Sequence, residues 1–235
     1  MDARAYRLHH GDLAAAEDAD GETGRLLADY MHVAKSVHQG MPICGPWFEE
    51  RIRAVLSARM PAGWQVSGPS QVFDPHRPEL RTRSWDLVVH GEPDCDLPPP
   101  ASANSGYPLL PRRLVAAVID TKTMFTDVAR YCGQTAFDIR NACEVPQFEL
   151  LGPTVAKTVL AASSTTSAET LRALGRDHGA QVFSLSRFFA GPVGDYENRE
   201  WRLTPERLAE GWPLQLFLEC VAQALARKRE LAGAS

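Results

Sequence analysis

Asp86, Asp120 and Lys122 are the residues of this chain whose types and settings could do chemistry together. Asp120 and Lys122 close the most hydrophobic segment of the sequence, Leu114-Val115-Ala116-Ala117-Val118-Ile119. Residues two apart on a strand point to the same face, so this spacing places both side chains on one side of a sheet and Thr121 on the other. Asp86 is the single acid inside a second apolar strand, Ser84-Trp85-Asp86-Leu87-Val88-Val89-His90. A buried carboxylate is normally paired, hydrogen-bonded or bound to a metal. If the two strands are neighbours, Asp86 and Asp120 converge on one cation with Lys122 beside it. Two carboxylates suit Mg²⁺ or Mn²⁺, because such an ion keeps several waters and takes a phosphate oxygen. It lowers the pKa of a bound water and polarises the phosphate, and lysine serves as a compact charge for the developing anion. The Thr121 backbone carbonyl can complete the coordination. That is the chemistry of phosphodiester hydrolysis. The alternative is a structural ion pair of Lys122 with one of the two acids.

An Asp on one strand and Asp/Glu-x-Lys at the end of the next resembles the PD-(D/E)XK nuclease superfamily. The pieces here are Ser84-Trp85-Asp86-Leu87-Val88-Val89 and Val118-Ile119-Asp120-Thr121-Lys122. A wider pattern, with Phe48-Glu49 on a helix and Met60-Pro61 closing it, is similar to a poorly characterised bacterial nuclease-like branch (a domain of unknown function) over roughly residues 45–162. The resemblance implies a restriction-endonuclease-like αβββαβ core, α/β in class, with a mixed central sheet flanked by helices and extra helices at both ends. It implies an Mg²⁺- or Mn²⁺-dependent endonuclease acting on DNA rather than RNA, with a role in bacterial antiviral defence. It adds Glu49 as an auxiliary metal ligand, with Glu50 second. Two departures stand out. Position 120 is Asp where that branch more often has Glu, and no Pro precedes Asp86. The rival function is a catalytically inactive nuclease fold serving as a binding or regulatory subunit.

Arginines are the candidate phosphate contacts. Arg77, Arg81 and Arg83 precede the Asp86 strand, and Arg112 and Arg113 precede the Asp120 strand. Both groups enter from the same end as their strands, which would set them around one cleft; solvated charged turns are the alternative. Gln134 and Tyr131 fall on a helix after the motif, where related nucleases carry DNA-facing polar residues, although their spacing differs from Q-x-x-x-Y.

The elements that must position these groups can be traced along the chain. Leu26, Leu27, Tyr30, Met31 and Val33 recur at helical spacing, and Gly40 and Pro42 end that helix. Pro46 to Arg59 reads as a helix with Phe48, Ile52, Val55 and Leu56 on one stripe. Trp64–Val66 and Gln71–Phe73 read as short strands, Asp74–Arg83 as a turn, and Gly91–Arg113 as a long loop bordering the cleft. A helix follows from Thr126-Asp127, then a strand over Thr154–Ala162, a helix from Ser167 to about Arg176, a strand over Ala180–Leu185 and a last helix over Trp212–Arg229. Residues 1–40 are expected to form an extension and helix, and residues 41–235 the nuclease-like domain, one globular unit overall.

Composition narrows the functional classes. The 235 residues carry a formal net charge of -4, so any phosphate-binding face must be local. The five cysteines are scattered and form no C-x-x-C pair, which argues against a zinc knuckle or a disulfide framework. No signal-like or membrane-length apolar run is present, so a cytoplasmic setting without membrane contact is expected. His9, His10, His32 and His38 make no metal-ligand pattern, Ser163-Ser164-Thr165-Thr166 lacks a G-x-S-x-G context, and neither G-x-x-x-x-G-K-[ST] nor G-x-G-x-x-G occurs. With no other domain to supply specificity, a homodimer or a partner protein is the expected source of it.

Overall fold

The computed structural model describes residues 21–36, 44–92, 106–125, 150–190 and 201–233. Two helices come first, α1 (Gly21–Ser36) and α2 (Cys44–Ser57). They match the two amphipathic stretches: Leu26, Leu27 and Tyr30 of α1 and Phe48, Ile52 and Leu56 of α2 are buried. Tyr30 packs edge-on against Phe48, and Glu22–Arg59 and Asp29–Arg51 ion pairs join the outer surfaces. After α2 the chain turns through Gly63, whose φ of 78° lies in the left-handed region where a side chain is strained.

Strands β1 (Trp64–Ser67), β4 (Leu87–Gly91), β6 (Val115–Phe125), β7 (Ala156–Ser164), β8 (Gln181–Ala190) and β9 (Trp201–Pro205) form a six-stranded sheet in the order β1-β4-β6-β7-β8-β9. The β1-β4-β6 pairings are antiparallel, β6-β7-β8 parallel, and β8-β9 antiparallel. The sheet is therefore mixed, and its inner strands are buried on both faces, which explains their unbroken apolar sequence. One face, bearing Leu87, Val89, Ile119, Leu160, Ala162, Phe183 and Leu185, packs on α1, α2 and the last helix, α4 (Pro213–Gly233). On the other face Val159, Ala161 and Val182 pack under α3 (Ala168–Asp177), which is N-capped by Ser167.

A second sheet, absent from the sequence expectations, shields the rest of that face. Strands β2 (Gln71–Asp74), β3 (Arg77–Arg81) and β5 (Leu109–Pro111) pair in the order β3-β2-β5. Val72, Leu110 and Trp85 pack there with Val88, Val115 and Val118. The stretch expected as a turn over Asp74–Arg83 thus contains a strand, and so does the end of the expected Gly91–Arg113 loop. Alternation is weak in Arg77-Pro78-Glu79-Leu80-Arg81, so pairing with β2 rather than apolar patterning makes it a strand. No described helix is long and apolar enough to cross a membrane.

Candidate functional site

The site sits where β4 begins and β6 continues past it. The first paired residues are Leu87 and Ile119, so Asp86 lies just before β4 and next to Asp120 and Thr121. Asp86 is not inside the strand as the sequence suggested. It occupies a bend between β4 and Trp85, whose backbone forms an isolated bridge with Ser70. Likewise Asp120 and Lys122 stand mid-strand, because β6 runs on to Phe125 beside β7. Beyond Ile119, the side of β6 facing away from β7 has no partner strand among the described residues. There the carboxylate of Asp86 substitutes for a strand: its Oδ2 accepts the Thr121 N–H at 2.7 Å and the Thr121 hydroxyl at 3.1 Å.

Asp120 is almost wholly buried. Its Oδ2 lies 2.8 Å from Lys122 Nζ and 3.3 Å from Arg83 Nη2. Neither cation is aligned for a hydrogen bond, and among the described residues this oxygen has no hydrogen-bond donor. It is held by charge.

The Leu87–Ile119 pairing and the bond from Thr121 N–H bring Asp86 beside Asp120, close enough for each charge to act on the other. Burial, first, and the charge of Asp120, second, push Asp86 from the ordinary 3.8 up to about 6; the Thr121 N–H opposes the rise, and contact with Asp120 and the charge of Glu49 add to it. Glu49, half-buried on α2, belongs to the same electrostatic group. Burial raises its pKa, Lys122 lowers it and Asp120 raises it again. Phe48 and Ile52 anchor α2 in the core, which fixes the helix that carries Glu49. The carboxylates of Glu49, Asp86 and Asp120 therefore act on one another, with Lys122 acting on both Asp120 and Glu49.

This donor set fits a hard divalent cation. Carboxylates crowded enough to retain a proton are relieved by a cation, and a charge-held oxygen such as Asp120 Oδ2 is chemically suited to one. Among the described residues no three His, Cys, Asp or Glu side chains are grouped so as to hold a metal ion together. Magnesium does not require such a group, since it is commonly held by one or two carboxylates and completes its octahedron with water and phosphate.

The structure separates the arginine groups. Because β4 and β6 are antiparallel, the start of β4 adjoins the far part of β6, not its beginning. Arg83 therefore reaches Asp120, whereas Arg112 and Arg113, in a 3-10 turn (Arg112–Leu114) ahead of β6, lie roughly 20 Å back along the strand at about 3.3 Å per residue. The expectation that both groups border one cleft is corrected: entering from the same end holds only for parallel strands. Arg112 instead donates to the Leu150 carbonyl at 3.0 Å, and Lys228 donates to the carbonyls of Arg112 and Arg113 at 3.4 Å. Arg81 is exposed at the end of β3 in the second sheet. Gln134 and Tyr131, and residues 93–105 of the long loop, lie outside the described residues.

Sequence reasoning missed the stacking of Arg83 on Trp85, with the guanidinium carbon 4.9 Å from the ring centroid. The i, i+2 spacing of an Arg and a Trp before Asp86 was the available signal, and strand periodicity gives it no special weight.

A mixed sheet flanked by helices, with Asp86 and Asp120 placed where an antiparallel pair parts, matches the restriction-endonuclease-like fold. No protein-family model matches the chain, and no curated protein matches it by sequence. Solved structures do match by shape. The chain is similar to NucC of P. aeruginosa ATCC27853 in its cAAA-bound form, at a TM-score of 0.55 and 17% identity over 92% of this chain and 89% of that one. It is similar to NucC of E. coli MS115-1, also cAAA-bound, at a TM-score of 0.55 and 12% identity with the same coverage. Identities this low establish the fold they share.

Proposed function

We propose that the chain is a divalent-metal-dependent nuclease that cleaves DNA, acting in bacterial antiviral defence. The observation that carries this reading is the placement of Asp86 beside Asp120, on the edge of β6 that has no partner strand among the described residues, with Lys122 on Asp120. The fold shared with NucC supports the reading.

Asp86 and Asp120 would hold Mg²⁺ or Mn²⁺, which when bound supplies Lewis acidity and an acidified water. Paired strand residues exchange N–H and C=O bonds along one edge. The Thr121 N–H points to Asp86, so its carbonyl shares that edge and would be the backbone ligand. Glu49 acts as an auxiliary acid. Lys122 orients the attacking water and offsets charge developing on the phosphate, and Arg83 is the nearest phosphate contact. Thr121 fixes Asp86 by two donors, which spares reorientation of the carboxylate during reaction.

The test is cleavage of plasmid, linear DNA, single-stranded DNA and RNA in Mg²⁺ or Mn²⁺, each with and without cAAA, the molecule in both NucC structures. Cleavage of DNA that Asp120→Ala and Lys122→Ala each reduce by about 10²-fold or more is expected. Cleavage untouched by both substitutions would overturn the site. Retention of DNA without cleavage under every condition would favour a nuclease-fold binding subunit instead.

A further inference from the structure

Arg83 touches both Asp120 and Trp85. Its guanidinium is 3.3 Å from Asp120 Oδ2 and stacks at 4.9 Å over the Trp85 ring. The platform is rigid. Trp85 is buried, and its indole N–H donates to Thr82 Oγ1 at 3.2 Å. Thr82 Oγ1 also accepts the Val72 N–H at 3.0 Å and donates to the Arg83 carbonyl at 2.7 Å. The backbones of Ser70 and Trp85 exchange hydrogen bonds of 3.0 and 2.9 Å. The three-stranded sheet thus fixes the base of the Arg83 side chain and the surface on which it lies.

The oxygen that Arg83 approaches is one that a divalent cation would also claim, and Lys122 already stands 2.8 Å from it. Three cations cannot share one carboxylate oxygen without strong mutual repulsion. Lys122 has a second acid in its field, Glu49. Arg83 has the indole face, on which a guanidinium stays stabilised without a carboxylate. Arg83 is therefore the cation that can yield.

Resting on the metal-site reading above, we propose that Arg83 competes with the divalent cation for Asp120, and that Trp85 is the platform on which its guanidinium moves off that oxygen. The apparent metal affinity is then lowered by the fraction of molecules in which Arg83 holds Asp120. The side chain is a built-in threshold on metal loading.

The test is Mn²⁺ binding followed by the electron paramagnetic resonance of free Mn²⁺, on the full chain without nucleic acid. Arg83→Gln is expected to bind Mn²⁺ about tenfold more tightly than wild type, as for a latch closed in roughly nine molecules of ten. Arg83→Met keeps an apolar chain over Trp85, should show the same gain, and carries the test if Arg83→Gln does not fold. Arg83→Lys keeps the charge and should stay nearer wild type, whereas a purely packing role would move all three variants alike. Unchanged or weaker Mn²⁺ binding in the neutral variants, with wild-type binding abolished by Asp120→Asn, overturns the competition and leaves the metal site standing. Wild-type binding that survives Asp120→Asn overturns both.

Discussion

Thr121 donates both its backbone N–H and its hydroxyl to one oxygen of Asp86. A strand residue normally spends its N–H on a neighbouring strand; here the neighbour has ended, and a side chain from the bend before β4 takes the bond. The same substitution satisfies a backbone donor and fixes the orientation of a carboxylate beside Asp120.

Thr121→Val removes the hydroxyl and keeps the N–H bond and the β-branched shape. A hydrogen bond to a charged group contributes about 1.5–3 kcal/mol and a neutral one about 1, so a loss of about 1–2 kcal/mol in urea unfolding at pH 8 is expected. A hydroxyl bonds a charged acceptor more strongly than a neutral one, so part of that loss should vanish at pH 5, below the value of about 6 to which the Asp86 carboxyl is pushed. An equal loss at both pH values would show that the hydroxyl does not act through the carboxylate.

Asp86 itself gives a pH signature. Its pKa rises from the ordinary 3.8 to about 6 on folding, so between those values the native chain holds a proton that the unfolded chain has released. Stability from this group is fully present below about pH 4 and is lost as pH climbs through 6. Asp86→Asn mimics the protonated form at every pH. Its stability relative to wild type should grow from near zero at pH 4 to on the order of 2 kcal/mol at pH 7. A difference that stays flat across that range would remove the electrostatic crowding on which the metal-site reading depends.

The elements that make up the main sheet and its helices were legible because burial on both faces leaves a plain apolar record, as in Val115–Ile119 and in Thr158–Ala162. Asp120 and Lys122 stood out against that record for the same reason. The second sheet left no such trace: β3 is polar and held by backbone pairing, and β5 is three residues long. Strand direction was not legible either. Sequence gives the order of Arg83, Asp86, Arg113 and Asp120 along the chain, but only the antiparallel β4-β6 pairing decides which arginine meets which aspartate. Residues 201–205, which become β9, alternate only over Trp201-Arg202-Leu203-Thr204 before Pro205, too short a run to stand out, and the strand is held by pairing with β8 at the sheet edge.

That geometry predicts a division among the arginines. Arg83→Ala should weaken binding of a short DNA duplex and reduce the salt dependence of that binding by about one phosphate contact. Arg112→Ala, whose wild-type side chain bonds the Leu150 carbonyl, should instead lower stability by about 1 kcal/mol with little effect on DNA affinity. Fluorescence anisotropy at several salt concentrations, alongside urea unfolding, separates the two. A salt slope changed by Arg112→Ala and not by Arg83→Ala would reverse the assignment.

The frame under β7 and β8 can be probed far from the charges. Gly175 lies near the end of α3, where a Cβ would stand 2.7 Å from Val182 Cγ2 and 2.8 Å from the Ala180 carbonyl oxygen. The carbonyl cannot swing away, because the Ala180 N–H is itself bonded to the Gly175 carbonyl at 2.8 Å and the turn is closed by it. Helix propensity alone would favour alanine here by up to about 1 kcal/mol. Overpacking of a rigid contact costs about 1–3 kcal/mol, so the clash should win and Gly175→Ala should destabilise the chain by about 1–2 kcal/mol. Since β7 separates β8 from β6 in the sheet, the variant should keep wild-type Mn²⁺ affinity under conditions where it is folded. A stability gain would mean that α3 can lift from the sheet, and a lost Mn²⁺ affinity would mean that the strand positions around Asp120 depend on how α3 is seated.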